Sequence, residues 1–217
     1  MFTRPLSFAL ALTLPLAGCV GLAGDGDRAA ETRTVSVFTT VDVNNGLELT
    51  LTIDPSATGD VDLEVSAESN LIDYISTTVA EGALTADTTE DLRPTLSMEL
   101  SGVTADVSEA DVNNGAVLVI DGLERASFRA QSDNGADLEA SGAVEESVVV
   151  SDNGAMVNLS DLKATSAAVD INNGAFAILC VSGAVTGTVN NGATLVVECG
   201  GDSSGVSEKN GGVVQSN

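Results

Sequence analysis

Carboxylates that recur beside Asn-Gly dipeptides are the side chains in this sequence best suited to chemistry. They are Asp42, Asp111, Asp133, Asp152 and Asp170. Calcium takes six to eight oxygen ligands, so carboxylate and asparagine oxygens stacked along one axis predict weak Ca²⁺ binding. Their spacing matches neither the EF-hand loop nor the glycine-rich calcium nonapeptide. The favoured alternative is structural, with these side chains satisfying the backbone of the turns. No other cofactor is predicted.

Catalytic and nucleic-acid functions find little support in the composition. The 217 residues include no His, which removes imidazole bases and His-ligated zinc. With 8 Lys+Arg against 32 Asp+Glu, the formal net charge is −24, so no basic face is available to neutralise nucleic-acid phosphates. Aromatic residues, which stack on sugars, make up only 3% of the chain. We therefore predict a non-catalytic protein that binds no nucleic acid; a polysaccharide-active enzyme is the less favoured alternative.

The N-terminus has the pattern of an export signal. Residues 1–18 carry one basic residue, an apolar stretch and small residues before a cysteine. The sequence Leu16-Ala17-Gly18-Cys19 resembles the lipobox of bacterial lipoproteins, in which cleavage leaves a diacylated cysteine. Cys19 is therefore the predicted lipidation site, and two or three acyl chains would anchor the protein stably in a membrane. The alternative is an ordinary cleaved signal. Val20, in place of the aspartate that retains lipoproteins in the inner membrane, favours the outer membrane.

The two remaining cysteines, Cys180 and Cys199, predict a disulfide, because an exported chain folds in an oxidising compartment. They lie six and seven residues after consecutive Asn-Gly glycines, so one side chain must turn at a bend for the bond to form. Between the lipidated cysteine and the body, residues 19–33 show no periodicity and predict a flexible tether.

An internal repeat is the strongest pattern in the chain. The Asn-Gly glycines recur every 18 to 20 residues, at Gly115, Gly135, Gly154, Gly174, Gly192 and Gly211. Counting from each glycine, positions +1, +3 and +5 are small or aliphatic, whereas +2 and +4 vary. This alternation predicts strands, with the first set of positions facing a core.

Strands that alternate within coils of about 19 residues predict an all-β parallel β-helix, since one coil cannot bury its apolar face without its neighbours. Glycine and asparagine tolerate positive φ, and asparagines stacked on successive coils can bond to one another. We assign residues 34–200 to this domain, with an irregular part over 34–110 and regular repeats over 111–200. Residues 201–217 are predicted to form a polar tail that caps or frays from the end.

Several outward positions are apolar rather than polar. They are Val117, Val119, Met156, Phe176, Ile178 and Val196. An exposed apolar stripe would mark a partner surface. The favoured interpretation is that the N-terminal segment covers it, and the acids Asp137 and Glu139 interrupt it.

The order of these features resembles the bacterial family called putative auto-transporter adhesin, head GIN domain. The resemblance rests on the motif Asn70-Leu71-Ile72-Asp73-Tyr74-Ile75, followed by Val79, Gly82 and Leu84. It covers residues 34–200 and implies a single-stranded, right-handed parallel β-helix on an exported protein. The Asn-Gly-Ala turns depart from the Gly-x-Gly turns that are commoner in the family.

These patterns together predict a lipid-anchored β-helix of the bacterial envelope that acts as a binding or adhesion module at the cell surface. Its partner is an unidentified protein or polysaccharide. The alternative is a structural or partner-binding lipoprotein that faces the periplasm.

Overall fold

The computed structural model describes residues 21–217, which form eighteen strands and one 3₁₀ turn, Ile72–Tyr74. The predicted export signal and Cys19 lie outside the described residues. The strands are β1 (Leu22–Ala23), β2 (Arg28–Val35), β3 (Thr40–Val43), β4 (Leu47–Ile53), β5 (Val61–Glu68), β6 (Ile75–Ala80), β7 (Ala83–Thr88), β8 (Leu92–Arg93), β9 (Met98–Thr104), β10 (Glu109–Val112), β11 (Val117–Ser132), β12 (Asp137–Ser151), β13 (Met156–Ile171), β14 (Phe176–Val181), β15 (Ala184–Val189), β16 (Thr194–Glu198), β17 (Asp202–Glu208) and β18 (Val213–Ser216).

Two parallel stacks of strands, one on each side of the Asn-Gly turns, make up the body. The pre-turn sheet runs in the order β7, β3, β10, β11, β12, β13, β15, β17. The post-turn sheet runs β9, β4, β11, β12, β13, β14, β16, β18. Strands β11 to β13 bend at a corner, so each contributes its first half to the post-turn sheet and its second half to the pre-turn sheet. The predicted all-β parallel β-helix is confirmed.

The irregular repeat of residues 34–110 has a topological cause. The coil formed by β3 and β4 lies between the coil of β7 and β9 and the coil of β10 and β11, so the first coil in sequence is the second in space. Antiparallel strands complete this end of the solenoid: β2 pairs with β5, β5 with β9, and β6 with β7. We call this end the N-terminal cap. It covers strand edges that would otherwise invite association.

Two sequence predictions about the ends of the body are wrong. The flexible tether predicted over residues 19–33 is contradicted from residue 21 onward, because β1 pairs with β8 and the whole of β2 pairs with β5. The polar tail predicted over residues 201–217 is a further coil, in which β17 pairs with β15 and β18 with β16. Pairing with a distant strand satisfies the backbone N–H and C=O groups of such segments, whatever their side chains are. Local composition does not reveal this pairing.

The core consists of the small and aliphatic positions that the repeat predicts. Five alanines that follow the turn glycines are fully or almost fully buried: Ala116, Ala136, Ala155, Ala175 and Ala193. Phe128 and Phe38 are the largest buried side chains. Two buried serines form hydrogen bonds across their turns: the Ser132 hydroxyl donates to the Ala136 carbonyl at 2.9 Å, and the Ser151 hydroxyl donates to the Ala155 carbonyl at 3.4 Å. The period-two alternation therefore identified the buried face correctly.

Candidate binding surface

Seven Asn-Gly turns are stacked where the pre-turn sheet meets the post-turn sheet. In each, asparagine has φ between 46° and 57° and glycine between 71° and 81°, the pattern of a type I′ turn. The residue after each glycine donates its backbone N–H to the residue two before that glycine, as Ala116 does to Asn113 at 3.2 Å. The six predicted glycines, from Gly115 to Gly211, all occupy such turns, and the seventh is Gly46.

Asparagine side chains in these turns form a ladder along the solenoid. From Asn114 onward, each amide nitrogen donates to the asparagine amide oxygen of the preceding coil, at distances of 2.9 to 3.4 Å. The amide of Asn45, at the start, donates to the Asp87 carboxylate at 2.6 Å. The ladder joins Asn45, Asn114, Asn134, Asn153, Asn173 and Asn191. The amide of Asn210 instead donates to Asn190, at 2.8 Å. The predicted stacking of asparagines is confirmed, and it fixes the register of coils whose strands differ in sequence.

The carboxylates beside the turns lie in two rows rather than one. Asp42, Asp111 and Asp170 lie four residues before the glycine, and each accepts from an asparagine amide of its own turn, at 2.7 to 2.9 Å. Asp133 and Asp152 instead occupy the first position of their turns. They accept from asparagine amides of the following coil, at 3.2 and 2.6 Å.

All five acids are thus engaged in the turns. Among residues 21–217, no group of three or more His, Cys, Asp or Glu side chains is placed to hold a metal ion. Burial raises the pKa of Asp111, and the neighbouring carboxylates Asp42 and Asp133 raise it further against the hydrogen bond from Asn113.

Cys180 and Cys199 are joined in a disulfide, with 5.1 Å between their Cα atoms. The strand partner of Cys180 is Glu198, so the two cysteines are offset by one residue. Cys199 has φ of 64°, which turns its side chain back toward the preceding coil. This left-handed residue supplies the bend that the offset requires.

The outward face of the post-turn sheet carries two features, an apolar patch and a cleft. The first is an apolar patch in the distal coils. Met156 pairs in register with Phe176, and Ile178 with Val196. All four side chains are partly exposed. The described N-terminal segment pairs at the opposite end of the solenoid, so the prediction that it covers these residues is wrong for residues 21–35.

Two acids divide this patch from the other predicted apolar residues. Asp137 lies between Val117 and Met156 in register, and Glu139 pairs with Val119. Burial raises the pKa of Asp137, and the adjacent Glu139 raises it further. The predicted stripe is therefore two apolar regions separated by negative charge.

The second feature is a cleft closer to the N-terminal cap, which the sequence pattern did not predict. Three adjoining depressions of about 370, 510 and 400 Å³ share Thr50. We call them together the hydroxyl-acid cleft. It is lined mainly by hydroxyls and carboxylates, among them Thr52, Glu64, Ser101 and Asp121. The alternating Glu and Thr residues of β4 indicate an outward polar row in the sequence. The repeat does not predict the antiparallel strand β5, which completes the cleft.

Cations are scarce around both features. Arg28, at the margin of the post-turn face, pairs with Glu99 at 3.2 Å. Arg125 pairs with Asp106 at 2.7 Å, and Arg129 pairs with Glu109 across neighbouring pre-turn strands at 3.3 Å. The post-turn face is therefore apolar at its distal end and acidic over the rest.

A buried carboxylate joins the N-terminal segment to the cap. Glu68 is inaccessible to solvent and accepts hydrogen bonds from the Thr95 hydroxyl at 2.6 Å, the Thr95 N–H at 2.8 Å and the Gly26 N–H at 2.7 Å. The Thr95 hydroxyl, followed by the N–H groups of Thr95, Gly26 and Leu96, outweighs the effect of burial and lowers the pKa of Glu68 to about 2. This charged acceptor holds three separate chain segments together.

We expect the stability of the protein to fall between pH 5 and pH 2. A folded pKa of about 2 against an ordinary value of 4.5 means that Glu68 stabilises the fold above the ordinary value, and that this contribution is lost as the pH falls through the folded pKa. Urea denaturation at a series of pH values measures it. Glu68→Gln should be less stable at pH 7 and should lose part of the acid dependence.

Glu124→Gln, which neutralises an exposed carboxylate of the body, is the matched control and should follow the wild type. An identical acid dependence in Glu68→Gln and the wild type would contradict the role of Glu68.

No helix within residues 21–217 is long and apolar enough to cross a membrane. The stacked coils, the asparagine ladder and the open outward face define a parallel β-solenoid whose described surface offers extended faces for contact. The chain belongs to the family described as "Putative auto-transporter adhesin, head GIN domain", whose model matches residues 37–201. The resemblance predicted from the sequence is confirmed.

Solved structures show the same fold at low sequence identity. One described as a putative adhesin from Bacteroides fragilis NCTC 9343 is 13% identical, has a TM-score of 0.71, and covers 91% of this chain and 100% of its own. One described as a putative lipid binding protein from Parabacteroides distasonis ATCC 8503 is also 13% identical, with a TM-score of 0.55, covering 90% and 99%. A putative adhesin from Parabacteroides merdae ATCC 43184 is 11% identical, with a TM-score of 0.55, covering 90% and 98%. No curated protein matches the chain.

Proposed function

We propose that this protein is a non-catalytic binding module of the bacterial envelope, anchored in the outer membrane by lipid on Cys19 and exposed at the cell surface for attachment. The observation that carries the proposal is the post-turn face, where the apolar patch and the hydroxyl-acid cleft lie on one sheet. Membership of a family described as adhesins supports a binding role. The lipobox at residues 16–19 supports the anchor.

The chemistry of the post-turn face selects the class of partner. Acidic polysaccharides and nucleic acids are repelled by a chain with a net charge of −24. A protein segment that combines positive charge with apolar side chains would match both parts of the face, because charge steers the encounter and apolar burial supplies affinity. We therefore propose a basic, partly apolar protein segment as the partner.

Protease treatment of intact cells that carry the full-length protein with a C-terminal tag after Asn217 tests its exposure. We expect loss of the tag while a periplasmic control protein survives. Persistence of the tag until the outer membrane is breached would contradict surface exposure and support the periplasm-facing alternative.

The same cells test the face itself, on a surface coated with an alternating Lys-Leu peptide. Ile178→Thr combined with Val196→Thr keeps both side chains branched at Cβ but removes apolar area from the patch, and we expect attachment to weaken at least tenfold. The matched control is Val148→Thr combined with Val150→Thr, which replaces two β-branched apolar residues by Thr at partly exposed positions of the pre-turn sheet. Equal attachment by both double variants would contradict the assignment of the post-turn face.

A further inference from the structure

The N-terminal segment is fixed to the body from its first described residues. The Leu22 N–H donates to the Asp91 carbonyl at 2.8 Å, and the Gly24 N–H donates to the Arg93 carbonyl at 3.1 Å. A Cβ at Gly21 would overlap the backbone of Asp91, so even this residue packs tightly. No spacer therefore separates residue 21 from the cap.

A second set of contacts holds the following residues against the end of β5. The Asn70 amide donates to the Ala23 carbonyl at 2.8 Å and accepts from the Asp25 N–H at 3.1 Å. The Ser69 hydroxyl donates to the Asp25 carboxylate at 2.7 Å. With the bonds to Glu68, these contacts form what we call the N-terminal clamp. A segment bonded at this density to three parts of the body moves with that body.

The clamp leaves very little chain between the proposed anchor and the folded domain. Consecutive Cα atoms are 3.8 Å apart, so Cys19 lies within about 8 Å of Gly21 in any conformation. The headgroup layer on each side of a bilayer is roughly 5 to 8 Å thick. A cysteine whose acyl chains enter the hydrocarbon region therefore brings Gly21, and the surface around it, to the level of the headgroups.

We infer that the N-terminal cap lies directly against a zwitterionic lipid headgroup surface. Only Cys19 and Val20 join the lipid to the folded body, so no flexible spacer separates the two. This inference rests on the lipid anchor in the proposed function and goes beyond it by naming the part of the fold that meets the bilayer.

The surface around Gly21 has side chains suited to that position. A cleft of about 630 Å³ opens beside it, lined by Leu22, Tyr74, Glu90 and Asp91 among others. Leu22 is 37% exposed, and Tyr74 is the single tyrosine of the chain. Tyrosine is enriched at the headgroup level of membranes, because its ring is apolar and its hydroxyl group can remain hydrated. The two carboxylates match the cationic end of a zwitterionic headgroup and oppose a surface of anionic lipids.

The distal coils then point away from the bilayer. Seven inter-strand steps separate β7 from β17 in the pre-turn sheet. At about 4.8 Å a step, the last coil lies roughly 34 Å from the cap coil. The apolar patch lies in these distal coils and is therefore held clear of the headgroups.

Fluorescence quenching on phosphatidylcholine vesicles tests the inference with the full lipidated protein. A fluorophore is attached at Glu90→Cys, beside the cleft, or at Ser207→Cys, in the last coil; both positions are exposed. Cys180 and Cys199 are disulfide-bonded and Cys19 is acylated, so each variant has one reactive thiol. With quencher-labelled headgroups, we expect at least threefold stronger quenching at position 90 than at position 207.

The matched control inserts ten Gly-Ser residues between Val20 and Gly21. A flexible linker of that length has a root-mean-square span of roughly 17 Å, so quenching at position 90 should fall toward the level seen at position 207. Equally weak quenching at both positions of the uninserted protein would overturn the inference. Co-flotation with vesicles reports the anchor separately: its loss would overturn the proposed lipid anchor and the inference together, whereas co-flotation with equal quenching overturns the inference alone.

Discussion

Gly142→Ala is expected to destabilise the protein by about 3–5 kcal/mol, or to prevent its folding. Gly142 lies at the corner of β12 with φ of 127°, a conformation that other residues rarely adopt. A Cβ there would overlap the backbone carbonyl of Leu123 on the preceding coil and would come within 2.7 Å of its N–H nitrogen. The overlapping atoms belong to the backbone, so the two coils cannot move apart without breaking the strand hydrogen bonds between β11 and β12. Urea denaturation followed by circular dichroism measures the loss.

Gly154→Ala provides the matched control for this prediction. Gly154 also has positive φ, at 74°, but a Cβ there meets no atom within 4 Å. We expect only the conformational penalty of a left-handed residue, about 1–2 kcal/mol. Equal losses in the two variants would show that inter-coil contact at the corner does not limit the packing of the solenoid.

Reduction of the Cys180–Cys199 disulfide is expected to destabilise the distal coils by about 3 kcal/mol. The bond closes a loop with a sequence separation of 19 residues. Closing a loop of that size removes conformational entropy from the unfolded ensemble and so raises its free energy by roughly this amount. In a solenoid each coil contacts only its neighbours, so the loss should be local. Hydrogen exchange should rise in β15 to β18 on reduction, while β3 and β4 keep their protection.

The double variant Cys180→Ala with Cys199→Ala controls for side effects of the reductant. Its exchange in the distal coils should be fast both with and without reductant. Uniform protection of β15 to β18 in oxidised and reduced wild type would contradict a stabilising role for the bond.

Residues close together in sequence allowed the regular half of the fold to be predicted. The turn at Asn114 and Gly115, its strands and the buried Ala116 are specified within about ten residues, because turn conformation and period-two burial are local properties. Stacking then follows, since a coil that repeats every 19 residues has only its neighbours to pack against. The asparagine ladder follows from the same register. The class of fold and its core were therefore determined by the sequence alone.

Only the tertiary structure decided how the ends of the body are built and what the outer face presents. Strand β2 pairs with β5 so that Arg28 lies opposite Glu68 in the register, 40 residues later in the chain, and nothing in the polar segment 21–33 indicates that strand partner. The placement of β3 and β4 between later coils is equally non-local. It sets Thr50 beside β5 and β9 and so creates the hydroxyl-acid cleft. The buried position of Glu68 follows for the same reason: its donors come from segments that carry no periodic signal. Contacts between distant, aperiodic segments depend on the shape of the assembled chain. The repeat, in contrast, specifies the turn and the buried face of each coil by residues within that coil.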